Sequence, residues 1–346
     1  MRVDLVAVQA ALSEAPYRDA EQFAAWTMRL ARGAMALLPD DHGEVVLVFP
    51  EAIAMPLQFT LGGADRVAGS ATLLEAARRS LRGRWAEVWA AAWRHRAAGP
   101  AAVVLARALQ VHAAYVHAFR AVARETGVTV VGGSAFLPDI DVEAARGPHV
   151  VDRHVYNVAY TFAPGGALLG RSRKVFLTSG LESRVGLGRG RLAELPVMRA
   201  PCGSIGVAVC LDGWYEGVVA ALDAQGAQIL VQPSANDAAW NRPWPPDPRL
   251  LEGEAWLERG LRARLQGRVH LRYGLNPMLV GEVFGFAPRG RSSVLANAAL
   301  VRHDWVDGRE GVVALAPDAE HEAYVHAAVT LPDREPNPGP VPRPRR

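Results

Sequence analysis

The chain has 346 residues, half of them apolar and 21% charged, a composition ordinary for a soluble globular protein with room for a substantial core. A net charge of +3, with arginines interspersed among Asp and Glu, supplies no basic face, so no nucleic-acid partner is expected. Two cysteines cannot form a disulfide framework, and no CxxC pair, HExxH or clustered His/Asp spacing suggests a metal, so neither metal nor cofactor is expected.

The opening "MRVDLVAVQA" alternates and carries Asp4, which reads as a first strand and not as a signal peptide. Further strands are predicted at "EVVLVFP" (44–50), "GVTVVGGSAF" (127–136), "HVYNVAYTF" (154–162), "SIGVAVC" (204–210), "AQILVQPS" (227–234) and "EAYVHAAVTL" (322–331). Apolar spacings of three and four residues predict helices over 18–38, 101–125 and 214–225. Alternating strands and helices point to an α/β layered domain extending to about residue 334, followed by a Pro- and Arg-rich tail, 335–346, expected to be disordered. No apolar run approaches the roughly 20 residues of a membrane span, so no membrane partner and a cytoplasmic location are expected.

One segment stands apart, from about residue 62 to 99. Trp85, Trp89 and Trp93 fall there at i, i+4 and i+8, on one helical face. The leading expectation is an extra helix packing its aromatic stripe on the core or on a partner. A lid or wall over a pocket is the other reading.

Three places carry candidate chemistry. Pro50 ends a strand and delivers Glu51 at its carboxyl end, among Phe49, Ala52 and Ile53. A carboxylate there would be poorly solvated and its pKa raised, as a general base requires, while a strand-end acid capping the next turn is the other reading. Cys210 closes a buried strand just before a predicted helix. Such a turn places the thiol near backbone N–H groups and a positive helix end, which favours the thiolate, and can offer the Leu211 N–H to an oxyanion. Of the 38 Lys and Arg residues one is lysine, Lys174, in "GRSRKVFLTSGLE". Lysine places a compact charge at one point where a guanidinium is bulky and planar. Glu as base, Cys as nucleophile and Lys as a cation for developing negative charge form a consistent set. Trp214, Tyr215 and Asn236 follow the two strand ends and are candidate pocket residues, with packing an equal reading for the aromatics.

"FPEA", "RKVFLTSGLE" and "GVAVCLDGWYE…GAQILVQPSAN", in this order, resemble the nitrilase superfamily of carbon–nitrogen hydrolases, over most of residues 1–331. The resemblance implies a four-layer α-β-β-α sandwich assembled into homodimers or larger oligomers. It implies Glu51, Lys174 and Cys210 in the catalytic positions, with Glu182 as a further acid serving the lysine, and a small-molecule amide, N-carbamoyl compound or nitrile as substrate. The Cys210-Leu211-Asp212 triplet lies nearer the amidase and carbamoylase side than the nitrilases proper. Departures are the long gap between Glu51 and Lys174, the absence of a proline in "CLDGWYE", and "RARLQGRVHLRYGLNP" where relatives carry an acid. A non-catalytic scaffold relative is the alternative from another class.

Overall fold

The computed structural model describes residues 1–142 and 147–332, so the tail at 335–346 lies outside the described residues. Strand β1 (Arg2–Gln9) is buried from Val3 onward, as a central strand covered on both faces must be, and its sequence is correspondingly apolar. It lies beside β2 (Glu44–Val48), which is parallel to it and to β3 (Thr129–Val131). Next come β4 (Ala135–Asp141), β5 (His149–Phe162) and β6 (Leu168–Arg173), then β7 (Val197–Ala200) and β8 (Gly203–Val207). The remaining main strands are β9 (Ile229–Val231), β10 (Tyr273–Asn276), β11 (Ser293–Ala296), β12 (Val312–Leu315) and β13 (Ala323–Thr330).

These strands form two sheets. One has seven strands in the order β13-β1-β2-β3-β5-β4, with β6 on β5; the other has six, β12-β11-β10-β9-β8-β7. Each has three parallel strands at its centre, β1–β3 and β8–β10, with antiparallel strands outside them. The sheets face each other through Leu5, Ala7, Val46, Val48 and Val131 on one side and Ile205, Val207, Ile229, Val231 and Leu275 on the other.

Helices cover both outer faces. On the first sheet, α1 (Ala20–Met35) begins at Asp19, whose carboxylate accepts the Gln22 N–H at 2.8 Å, and buries Phe23, Leu30 and Ala31. After α2 (Leu73–Ser80) and α3 (Trp85–His95), the long α4 (Pro100–Thr126) opens on Pro100 and stops at Gly127, which adopts the left-handed conformation (φ +68°). Val111, Tyr115, Phe119 and Val122 of α4 join α1 over Val45, Leu47 and Val130. The short α5 (Leu181–Val185) carries Glu182. On the second sheet, α6 (Glu216–Ala224) and, beyond α7 (Glu252–Arg259), α8 (Leu261–Leu265) cover Leu230 and Leu295. The layers are therefore α-β-β-α.

Two expectations are corrected. The tryptophan stripe of α3 does not pack on the core of this chain: Trp85, Trp89 and Trp93 are 57%, 73% and 89% exposed. The opposite face makes the contact, where Ala91 meets Val104 and Leu105 of α4, because small side chains let two helices approach. In addition, α4 is long and apolar enough by length and composition to cross a membrane, because its many alanines dilute few charges. Half of that stretch is buried inside the protein, against α1 and the first sheet.

Candidate active site

Four segments end at one point. After β2, Pro50 breaks ladder pairing and Glu51 follows. Ala52 then turns with φ +56°, its N–H held by Ser134 Oγ at 2.8 Å. The close approach of this turn to the segment after β3 needs Gly133 (φ +65°), where a Cβ would lie 2.1 Å from the Pro50 carbonyl oxygen. After β8, Cys210 opens a single 3-10 turn (Cys210–Trp214) with φ +50°, an uncommon left-handed conformation for a side-chain-bearing residue. Its N–H donates to the Pro233 carbonyl at 2.9 Å, and its carbonyl accepts from Gln232 Nε2 at 2.6 Å, so the strand end of β9 fixes the Cys210 backbone. Lys174 follows β6 directly, its N–H on the Asn157 carbonyl at 2.8 Å.

The side chains converge. Lys174 Nζ lies 2.8 Å from Glu51 Oε1 and 2.9 Å from Glu182 Oε2, and all three residues are buried. Glu51 Oε2 accepts the Ala235 N–H at 2.9 Å, and the Cys210 thiol lies within electrostatic reach of the Glu51 carboxylate. Glu182 Oε2 also accepts the Thr178 N–H at 2.8 Å. Burial raises the Glu51 pKa above the ordinary carboxylate range, against the lowering pull of Lys174. Burial works against the Lys174 ammonium, yet the Glu51 and Glu182 carboxylates together hold its pKa up.

The thiol itself departs from expectation. Burial and the neighbouring Glu51 charge push the Cys210 pKa well up, so the resting group is a thiol and not a thiolate. The α-helix expected to follow the cysteine directly begins at Glu216 and not at Trp214, beyond the 3-10 turn that Cys210 opens.

The candidate pocket residues divide. Leu211 follows Cys210 in the tight turn. Tyr215 stacks on Phe176 with ring centroids 3.7 Å apart and planes 9° off parallel, tying the cysteine turn to the lysine loop. Trp214 meets Trp256 edge-on at 5.1 Å and Trp244 at 6.0 Å, and Trp256 in turn lies 6.4 Å from Trp240. The aromatics thus form a continuous wall beside the nucleophile turn. Asn236 turns away: its amide donates to the Ala238 carbonyl at 3.2 Å instead of joining the Glu–Lys group.

Two residues in this group escaped the sequence reading. Asn157 Nδ2 donates to Glu51 Oε1 at 2.8 Å and to Glu182 Oε1 at 2.7 Å. Nothing in "HVYNVAYTF" marks it beyond being a polar residue in a buried strand. Asp212 is fully buried and accepts the N–H groups of Val175 (2.9 Å) and Phe176 (2.7 Å), binding the lysine loop to the cysteine turn. Burial raises its pKa to about 7, those two N–H groups notwithstanding.

The fold and the matches to known proteins place the chain in one class, the carbon–nitrogen hydrolases. The family model for carbon–nitrogen hydrolases matches residues 6–253, and the chain belongs to that family. Among solved structures, it is similar to the carbon–nitrogen hydrolase from Helicobacter pylori G27 (18% identity, TM-score 0.59, covering 94% of this chain and 88% of that one). Nit3 of Saccharomyces cerevisiae, a member of branch 10 of the nitrilase superfamily, is also similar (17%, TM-score 0.55, 94% and 89%). So is the amidase of Nesterenkonia sp. AN1 bearing acrylamide at its active-site cysteine (18%, TM-score 0.55, 96% and 93%). At such identities these likenesses speak for the fold. Nitrilase 3 of Arabidopsis thaliana is 39% identical over 82 residues, which span 24% of this chain and 23% of that protein.

Proposed function

We propose that the enzyme hydrolyses the carbon–nitrogen bond of a small amide or N-carbamoyl compound through a cysteine thioester, with Glu51 as base and Lys174 as oxyanion stabiliser. The observation that carries this reading is the buried contact of one thiol, one carboxylate of raised pKa and one ammonium, the Lys174–Glu51 distance being 2.8 Å. Glu51 takes the Cys210 proton as sulfur attacks the carbonyl carbon, forming the C–S bond and an oxyanion. An ammonium has three N–H donors, and Glu51 and Glu182 occupy two of the three on Lys174, which leaves one for the oxyanion beside the Leu211 N–H. The intermediate collapses with cleavage of the C–N bond, and Glu51 returns its proton to the departing ammonia or amine. Glu51 then deprotonates water, which attacks the thioester. The C–S bond breaks, Cys210 regains a proton from Glu51 and the carboxylic acid leaves. Glu182, its oxygens engaged by Lys174, Asn157 and Thr178, serves to hold the lysine.

Nitrile hydrolysis is the second reading, favoured by the local likeness to Nitrilase 3. Self-association into a homodimer or larger assembly belongs to the same proposal. It is supported by the three exposed tryptophans, which form an apolar patch that a second copy would cover.

The test is an ammonia-release screen over amides, N-carbamoyl compounds and nitriles, with Cys210→Ala as the blank. Release that persists in Cys210→Ala would sink the thioester scheme, and intact mass of a trapped acyl-enzyme would identify the acyl group retained.

A further inference from the structure

We propose that Asn157 is a positioning residue that clamps Glu51 and Glu182 with a single amide group and keeps Glu51 ionised as the base for Cys210. The inference deepens the reading of Glu51 as base and rests on it.

Asn157 serves the group from both its backbone and its side chain. Its carbonyl accepts the Lys174 N–H at 2.8 Å, which sets where the lysine leaves β6. Its Nδ2 donates one N–H to Glu51 Oε1 (2.8 Å) and the other to Glu182 Oε1 (2.7 Å). Lys174 Nζ bridges the same two carboxylates at 2.8 Å and 2.9 Å. The four side chains therefore close a ring of hydrogen bonds, Glu51–Lys174–Glu182–Asn157, each residue buried.

The charges explain why the ring needs the amide. Two carboxylates face one ammonium, so the lysine leaves one negative charge unbalanced where water is excluded. Glu51 also faces the Cys210 thiol, and Asp212 lies within electrostatic reach on the cysteine turn. A second cation would stabilise the charge but make Glu51 a weak base. An uncharged amide donor to Glu51 holds that carboxylate ionised and leaves more of its basicity in place, because hydrogen bonds to a charged acceptor are strong and favour the charged form.

The amide's own oxygen supports this assignment. Asn157 Oδ1 is buried and has no hydrogen-bond partner among the described residues. Turning the amide over would set that oxygen against two carboxylates. The side chain thus leaves its acceptor unsatisfied to present both donors, a cost that a space-filling residue would not incur.

The experiment is the pH dependence of iodoacetamide alkylation at Cys210, read by peptide mass, in the full chain and in Asn157→Leu, Asn157→Asp and Glu51→Gln, with thermal melting alongside. Leu keeps most of the volume and removes both donors; Asp keeps the shape and adds a third acid to the ring. Wild type is expected to lose reactivity below an acid limb that disappears in Glu51→Gln. In Asn157→Leu that limb moves up by about one pH unit, and alkylation at pH values below the wild-type limb falls about tenfold. Asn157→Asp moves it further. Should Asn157→Leu fail to fold, Asn157→Asp carries the test. A Glu51-dependent limb that stays in place in the folded Asn157 variants overturns the proposal while leaving Glu51 as base. A wild-type limb indifferent to Glu51→Gln overturns the proposal together with the reading beneath it.

Discussion

Lys174 is 1% exposed and reaches two carboxylates through a single nitrogen, which is a geometry for a point charge. A guanidinium at the same place is longer and planar, and pairs side-on with one carboxylate instead of bridging two while keeping a donor free. Lys174→Arg is accordingly expected to lower kcat by about a hundredfold or more although the charge is retained. It should also destabilise the fold by about 1–3 kcal/mol through overpacking. Steady-state kinetics with a substrate found by the ammonia screen, together with a denaturant titration, measures both. Near-normal turnover in Lys174→Arg would refute the point-charge argument. Cys210 behaves at the same scale: a buried thiol beside a carboxylate holds its proton.

At the level of elements, the site is a meeting of strand ends, and two small features hold those ends in register. Gly133 lets the β3 end pass against the Pro50 carbonyl, so Gly133→Ala places a methyl where 2.1 Å is available, on a backbone at φ +65°. A loss of about 1–3 kcal/mol is expected, with a fall in activity because Glu51 must move with Pro50. A Gly133→Ala protein that melts and turns over as wild type would contradict this reading of the turn. Asp212 is the second feature, linking the cysteine turn to the N–H groups of Val175 and Phe176. Its pKa in the folded protein, about 7, lies above its unfolded value. The folded state therefore binds this proton more tightly, and the stability it confers is full below the unfolded pKa and lost as pH rises to about 7. Asp212→Asn, which cannot ionise, should flatten the stability profile between about pH 4 and 7. Melting curves across that window check it, and an unchanged slope would mean the carboxyl is ionised throughout.

For the whole molecule, two sheets pack face to face with helices outside, and the segment from residue 62 to 99 lies on the α4 side of this sandwich. There α3 turns its small face inward and its three tryptophans outward. Such an apolar surface on a free monomer is a liability unless another surface covers it. Trp89→Glu is expected to shift sedimentation toward the monomer while leaving the active-site chemistry intact, since Trp89 lies outside the Glu–Lys–Cys group. An unchanged assembly state would remove α3 from the interface.

How much of this was legible in the sequence follows from which forces act locally. The strands 3–9, 44–50 and 154–162 and the helix over 101–125 were readable because burial and helical period are written in neighbouring residues. A strand ending in Pro50, a cysteine closing a buried strand and one lysine in an arginine-rich chain marked, in the same way, three positions that the fold brings together. The orientation of α3 was not readable, because both of its faces are apolar and the choice between alanine and tryptophan depends on how close α4 can come. Nor were Asn157 and Asp212: a polar residue in a buried strand and an acid after a cysteine acquire meaning only when distant segments bring them charged or unpaired partners. The protonation of Cys210 belongs to the same class, since it depends on burial and on Glu51, 159 residues away in sequence. Sequence by itself determined the elements and the types of side chain that meet at their ends. Tertiary structure decided which groups share a charge, which donors hold them and where the proton rests, because electrostatic and hydrogen-bond energies depend on distances that only the folded chain sets.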